Sequence, residues 1–153
     1  MLRPDHCVQD STGAEFSQRL YTDAIAHVVQ KGTEPRFDSY SGFFDIGHRK
    51  ATGLVDYLRQ NGVHELIIVG LAVDYCAKYT VLDVCELGFG VTLAEDGTCG
   101  VNLPPADTQR AFVEMAARGG NILPSAAIDP AANSVVADYS LHLLSPLFRF
   151  LCL

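Results

Sequence analysis

In the stretch GLAVDYC, residues 70–76, a cysteine follows directly behind the apolar run HELIIV. A thiol becomes a strong nucleophile once ionised, so Cys76 is a candidate for covalent attack on a carbonyl carbon. Asp74, two residues earlier, has the side chain of a helix N-cap. As a cap it would place Cys76 in a first helical turn, where free N–H groups and the helix dipole favour the thiolate. Lys31 stands just past a second β-branched run, IAHVV, residues 25–29. In open parallel sheets ligands bind beyond the carboxyl ends of strands. Lys31 and Cys76 are therefore expected to share one crevice, with the ammonium favouring the thiolate further. The same N–H groups could hold a tetrahedral oxyanion, which points to acyl transfer on an amide or ester.

Position alone also allows a plain packing role for Cys76, because free cysteine is among the most buried residue types. Cys85, on the apolar face of a helical pattern, and Cys99, behind a turn with no charged neighbour, take that packing role outright. Taken singly, Lys31 fits a solvated loop lysine and His6 a surface histidine. A metal site needs three or four ligands, and Cys7 beside His6 cannot comfortably bind the same ion.

The elements that must position these residues follow from hydrophobic periodicity. Short apolar, β-branched segments at residues 25–29, 66–70, 90–96 and 121–126 read as strands. Between the later ones lie helical patterns: KATGLVDYLRQNG with its Asn61-Gly62 stop, DYCAKYTVLDVCELG ending at Gly88, and residues 105–118, opened by proline and closed by Gly119-Gly120. This alternation implies an α/β fold, a parallel sheet with helices on both faces in a three-layer α/β/α arrangement. Residues 1–24 and 31–48 break the rhythm and read as functional loops. The tail from about residue 130 is apolar without a clear period.

At 153 residues the chain fits one domain spanning 1–153. Its net charge of −7, from 18 acidic and 11 basic side chains spread without blocks, gives no footprint for nucleic acid or anionic lipid. The tail LHLLSPLFRFLCL is too short for a membrane span, and MLRPDHCV lacks the apolar core of a signal peptide. Five cysteines with no CxxC pair suit a reducing compartment, so a cytoplasmic location is expected.

Three ordered motifs carry a stronger signal: PDHCVQDSTGAEF, KGTEPRFDSYSGFFD, and ELIIVGLAVDYCAKYTVLDVCELGFGVTLAEDGTCGVN. Over about residues 3–126 the chain closely resembles bacterial nicotinamidases, cysteine hydrolases of the isochorismatase-like superfamily. The resemblance implies a Rossmann-like sheet, Cys76 as nucleophile and Lys31 as the lysine that stabilises its thiolate. It implies a cis Leu71–Ala72 bond, an oxyanion hole of the Ala72 and Cys76 N–H groups, and Tyr40 and Leu71 at the substrate. It also makes His6 a ligand of a divalent metal (zinc, iron or manganese) that positions the pyridine ring. The implied reaction is hydrolysis of nicotinamide to nicotinate and ammonia in NAD salvage. The implied partner is this small molecule, with a homo-oligomer left open.

The chain departs from the family pattern in three places. The family's first strand, with its aspartate in a D-x-Q/N-x-x-F context, and the downstream Asp-x-His metal ligands do not occur, as if the N-terminal part were missing. Arg3 replaces a usual tryptophan, and the end of the chain is unlike the family's. On this count of parts the chain is expected to be an incomplete catalytic unit, hydrolysing nicotinamide near background unless another carboxylate, Asp74 or Asp10 first, serves as base. Two alternatives stand beside it: an isochorismatase-like hydrolase of another small amide or enol-ether, and a non-catalytic remnant that binds ligand or oligomerises.

Overall fold

The computed structural model describes residues 8, 10–34, 36–129, 134–138 and 149–152. Six strands and three α-helices follow in the order β1 (His27–Val29), α1 (Leu54–Gln60), β2 (Glu65–Leu71), α2 (Lys78–Glu86), β3 (Gly90–Cys99), α3 (Asp107–Ala117), β4 (Asn121–Leu123), β5 (Ser134–Asp138) and β6 (Arg149–Cys152). They form one sheet, ordered β1-β6-β5-β2-β3-β4, with every neighbouring pair parallel. This is the expected α/β class, an open parallel sheet with flanking helices.

Each helix forms where an apolar i, i+4 stripe meets the sheet. Leu54 and Leu58 are the buried pair of α1, and Ala111 and Met115 that of α3. In α2 the buried side includes Thr80, Val81 and Val84. Gly62 and Gly88 take positive φ after α1 and α2, the left-handed stop that glycine adopts without strain. On β2, Leu66 and Ile68 join Val91 and Leu93 of β3 and the three helices in one core cluster. Each of these fully buried aliphatic side chains contributes roughly 1.5–3 kcal/mol. Ile67, Thr92 and Ala94, which alternate with them, are buried on the other face.

The four strands expected from the sequence all form, and the tail supplies two more. Strands β5 and β6 run between β1 and β2, so the shapeless apolar tail becomes the middle of the sheet. Among the described residues no helix is long and apolar enough to cross a membrane.

Candidate active site

Cys76 lies just beyond β2, on a single π-helical turn, Val73–Ala77, that leads into α2. Such turns recur where a chain must present a side chain out of the regular ladder. The sequence had suggested that Asp74 caps the helix and that Cys76 occupies its first α turn; both expectations are corrected here. Ala72 is the N-cap, and its carbonyl accepts from the N–H groups of Tyr75 (3.0 Å) and Ala77 (3.1 Å). The buried Asp74 carboxylate instead accepts from the N–H groups of Val101 (3.1 Å) and Asn102 (2.7 Å). Those donors open the loop behind β3, past the end of the sheet ladder, so Asp74 clamps that loop to the cysteine turn.

Lys31, two residues past β1, reaches across the strand ends. Its Nζ donates to the Ser39 carbonyl at 2.8 Å and lies 3.7 Å from Cys76 Sγ, so the expected meeting of ammonium and thiol occurs. The Leu71–Ala72 bond is cis, as the resemblance implied. Leu71 is well exposed at the end of β2. Tyr40 packs its ring on Tyr79 at a centroid distance of 5.4 Å, nearly parallel, and edge-on to Tyr75 at 5.6 Å. Lys31 also borders a shallow open cleft with Phe37, Ser39, Asp45, Lys50 and Thr52; Cys76 is not among its walls.

Thr80 is the residue that sequence reading missed. Fully buried, it donates from Oγ1 to the Cys76 carbonyl (2.7 Å) and accepts from the Gly42 N–H (3.0 Å). One hydroxyl thus ties the cysteine turn to the Tyr40 loop. The available signal was a threonine four residues past the cysteine, the spacing at which a hydroxyl bonds back to the i−4 carbonyl.

Of the other thiols, Cys85 is partly buried on α2, and burial pushes its titration up, away from thiolate at neutral pH. Cys99, expected to pack, is exposed instead, because it closes β3 where the strand leaves the core. His6 lies outside the described residues. Among the described residues no group of three or more His, Cys, Asp or Glu side chains could hold a metal ion.

Comparison with known proteins adds to this geometry. A family model described as the isochorismatase domain matches residues 2–127. The chain is 51% identical to the nicotinamidase of Escherichia coli over 119 residues, which cover 78% of this chain and 56% of that protein. PnC1 from L. infantum, solved in complex with nicotinate, superposes with a TM-score of 0.76 at 34% identity, over 87% of this chain and 63% of that one. The pyrazinamidase of Pyrococcus horikoshii, solved in complex with zinc, gives a TM-score of 0.67 at 41% identity, over 79% and 62%. The chain thus spans little more than half the length of the curated relatives it matches.

Proposed function

The chain belongs to the isochorismatase domain family, and from that premise we propose that it is an amidohydrolase of nicotinamidase type, converting nicotinamide and water to nicotinate and ammonia. The observation that carries the proposal is the 3.7 Å approach of Lys31 Nζ to Cys76 Sγ at the carboxyl edge of the sheet. The high identity to a nicotinamidase and the nicotinate bound by a structural relative support the choice of substrate.

In this reading Cys76 loses its proton and its sulfur bonds to the carboxamide carbon, while the carbonyl π pair moves onto oxygen. The Ala72 and Cys76 N–H groups, at the two ends of one turn, donate to that oxyanion. Collapse re-forms the carbonyl and breaks the C–N bond, and the nitrogen leaves as ammonia with the proton taken from the thiol. Water then adds to the thioester, the C–S bond breaks, and nicotinate departs as the thiol is restored. Lys31 stabilises the thiolate at the start and end of the cycle, and its bond to Ser39 holds the ammonium in place. Tyr40, steadied by Tyr79 and Tyr75, offers an aromatic wall to the pyridine ring beside Leu71.

Divalent metal enters only through the likeness to a zinc-containing pyrazinamidase. The described residues do not fit a metal site, and His6 lies outside them, so every step above uses this chain's own groups. The reaction would return nicotinamide to NAD synthesis in the cytoplasm, and the unpaired state of Cys76, Cys85 and Cys99 agrees with a reducing compartment. The test is to follow ammonia and nicotinate together. Equal release from nicotinamide, lost in Cys76→Ala, is expected, and its rate above background measures whether a carboxylate of this chain serves as base. Ammonia release that survives Cys76→Ala, or turnover of an enol-ether in place of nicotinamide, would overturn the assignment.

A further inference from the structure

A flat ring is selected by the walls that flank it, and a wall selects sharply only when it is held at one distance. Tyr40, the wall of the proposed site, stands on the loop between β1 and α1. Two rings meet it there. Tyr75, on the turn that carries Cys76, lies edge-on at a centroid distance of 5.6 Å. Tyr79, in the first turn of α2, stacks on it at 5.4 Å with the planes only 25° apart. Tyr79 is itself braced: Lys78 Nζ lies 5.0 Å from its ring centroid and 3.3 Å from Glu114 Oε2 on α3. The next residue, Thr80, accepts from the Gly42 N–H, so consecutive residues of α2 grip Tyr40 and Gly42 of the loop. At 40% exposure, Tyr79 stands outside the core cluster that Val81 and Val84 join. The core between sheet and helix has little use for its ring; the loop aromatic does.

Resting on the reading of Tyr40 as the aromatic wall, we propose that Tyr79 is the positioning residue that sets ring selectivity, favouring flat aromatic carboxamides over branched aliphatic ones. A ring stacked on one face of Tyr40 stops that side chain from swinging back on that side, so the space between Tyr40 and the cysteine turn keeps one width. A fixed wall meets an incoming π face at stacking distance and gains the aromatic pair in full. A wall free to swing loses that gain in being ordered, and yields to a branched amide as readily as to a flat one. Tyr79 touches no substrate in this arrangement; it acts through Tyr40. The stack uses the ring and not the hydroxyl, so phenylalanine should serve as well.

The experiment uses the full 153-residue chain and reads occupancy of the site apart from turnover. Protection of Cys76 from iodoacetamide is followed at the Cys76 peptide in the parent, Tyr79→Phe and Tyr79→Leu, with nicotinamide or isobutyramide as the protecting amide. In the parent, nicotinamide should protect at lower concentration than isobutyramide. Tyr79→Leu should raise the half-protecting concentration of nicotinamide about 2- to 10-fold, the worth of one aromatic pair, and leave that of isobutyramide in place. Tyr79→Phe should keep the parent's selectivity. In steady-state hydrolysis the same loss should fall on KM, with kcat of Tyr79→Leu within about twofold of the parent's. If Tyr79→Leu does not fold, Tyr79→Met, which keeps bulk without an aromatic face, decides on the same readout. Equal weakening of both amides would make Tyr79 a general brace of the loop, and unchanged protection would remove it from the site; either overturns the proposal. So would a parent that neither amide protects. Selective protection that depends on the Tyr79 ring, with no ammonia from the parent, would uphold the proposal and sink nicotinamide hydrolysis alone. Ammonia release with protection indifferent to Tyr79 would do the reverse.

Discussion

Cys76 rides on a turn that continues a strand into a helix, whereas Tyr40 rides on a long loop that meets that helix through the hydroxyl of Thr80. The turn is continuous with β2 and α2, and its own backbone bonds converge on the Ala72 carbonyl. The loop from Lys31 to Thr52 has one isolated bridge, Phe44 to Ala51. Main-chain bonds fold it back on itself, among them the Ile46 N–H to the Asp38 carbonyl and the Thr52 N–H to the Phe43 carbonyl, both at 2.9 Å. Side-chain bonds add to these: Lys31 to the Ser39 carbonyl, Thr52 Oγ1 to the Gly42 carbonyl at 2.7 Å, the Arg49 and Lys50 N–H groups to Asp45, and the Gly42 N–H to Thr80, which ties the loop to α2. The place of Cys76, the proposed nucleophile, is therefore a property of the fold, fixed wherever this strand and helix form. The aromatic wall proposed at Tyr40 sits on a loop outside the sheet, so substitution there should alter substrate choice without unfolding the sheet.

Lys31 belongs to both regions, and its loss tests the comparison hardest. Lys31→Met removes the cation beside Cys76 and the anchor on Ser39 together, and kcat for nicotinamide hydrolysis should fall about 10²-fold with KM raised as well. Steady-state kinetics decide it. A rise in KM with unchanged kcat would mean that Lys31 serves the loop only.

Asp74→Asn and Thr80→Val then separate the two kinds of anchoring. Asp74→Asn replaces one of two accepting oxygens by an amide that faces a main-chain donor, and should cost about 2 kcal/mol in urea unfolding. Thr80→Val is nearly isosteric, but leaves the Cys76 carbonyl and the Gly42 N–H without their shared partner in a buried place, a cost of about 1–3 kcal/mol. Only Thr80→Val should also raise KM, because it alone frees the Tyr40 loop. Equal effects on KM from both substitutions would erase the distinction between turn and loop.

A smaller contrast concerns the thiol before α2 and the thiol within it. Burial raises the titration of Cys85, which therefore holds little thiolate at neutral pH, while Cys76 has Lys31 at 3.7 Å. Competitive alkylation of folded protein near neutral pH should label Cys76 well ahead of Cys85. Faster labelling of Cys85 would remove the ground for treating Cys76 as activated.

The strands at residues 66–70 and 90–96 and the helices after them were legible because their apolar spacing and glycine stops are local signals. So was the meeting of Lys31 and Cys76, since both follow strand ends and parallel strands share a carboxyl edge. Asp74 misled because aspartate two residues before a candidate helix reads as a cap, and only the tertiary approach of Val101 and Asn102 redirects its carboxylate. Strands β5 and β6 were illegible for a related reason. A strand inserted between two parallel neighbours has no need of alternation, so SVVAD and RFLC leave no period to find, and their register comes from β1 and β2. Thr80 was hidden because its two partners lie on different segments.

The finest test turns on Asp83, the buried carboxylate of α2 that faces the loop rather than the cysteine turn. Its Oδ1 lies 3.3 Å from His48 Nε2, and its Oδ2 has no hydrogen-bond partner among the described residues. Burial pushes this carboxyl above its ordinary range, and Ser41 and His48 offset that push only in part. A carboxyl raised by folding binds its proton more tightly in the native state than in the unfolded one. Its contribution to stability is therefore greatest below the ordinary carboxylate range and declines as pH rises through the window up to the raised value, then stays level. Asp83→Asn removes the titration, so the stability of that variant relative to the parent should grow with pH across the window and then plateau. Urea unfolding at a series of pH values from about 4 to 7 measures it. His48→Gln keeps Asp83 and removes its ion-pair partner, so its curves show the carboxyl's contribution without the imidazole. Parallel parent and Asp83→Asn curves, or a difference that shrinks as pH rises, would show that the loop side of α2 is as well satisfied as the turn side.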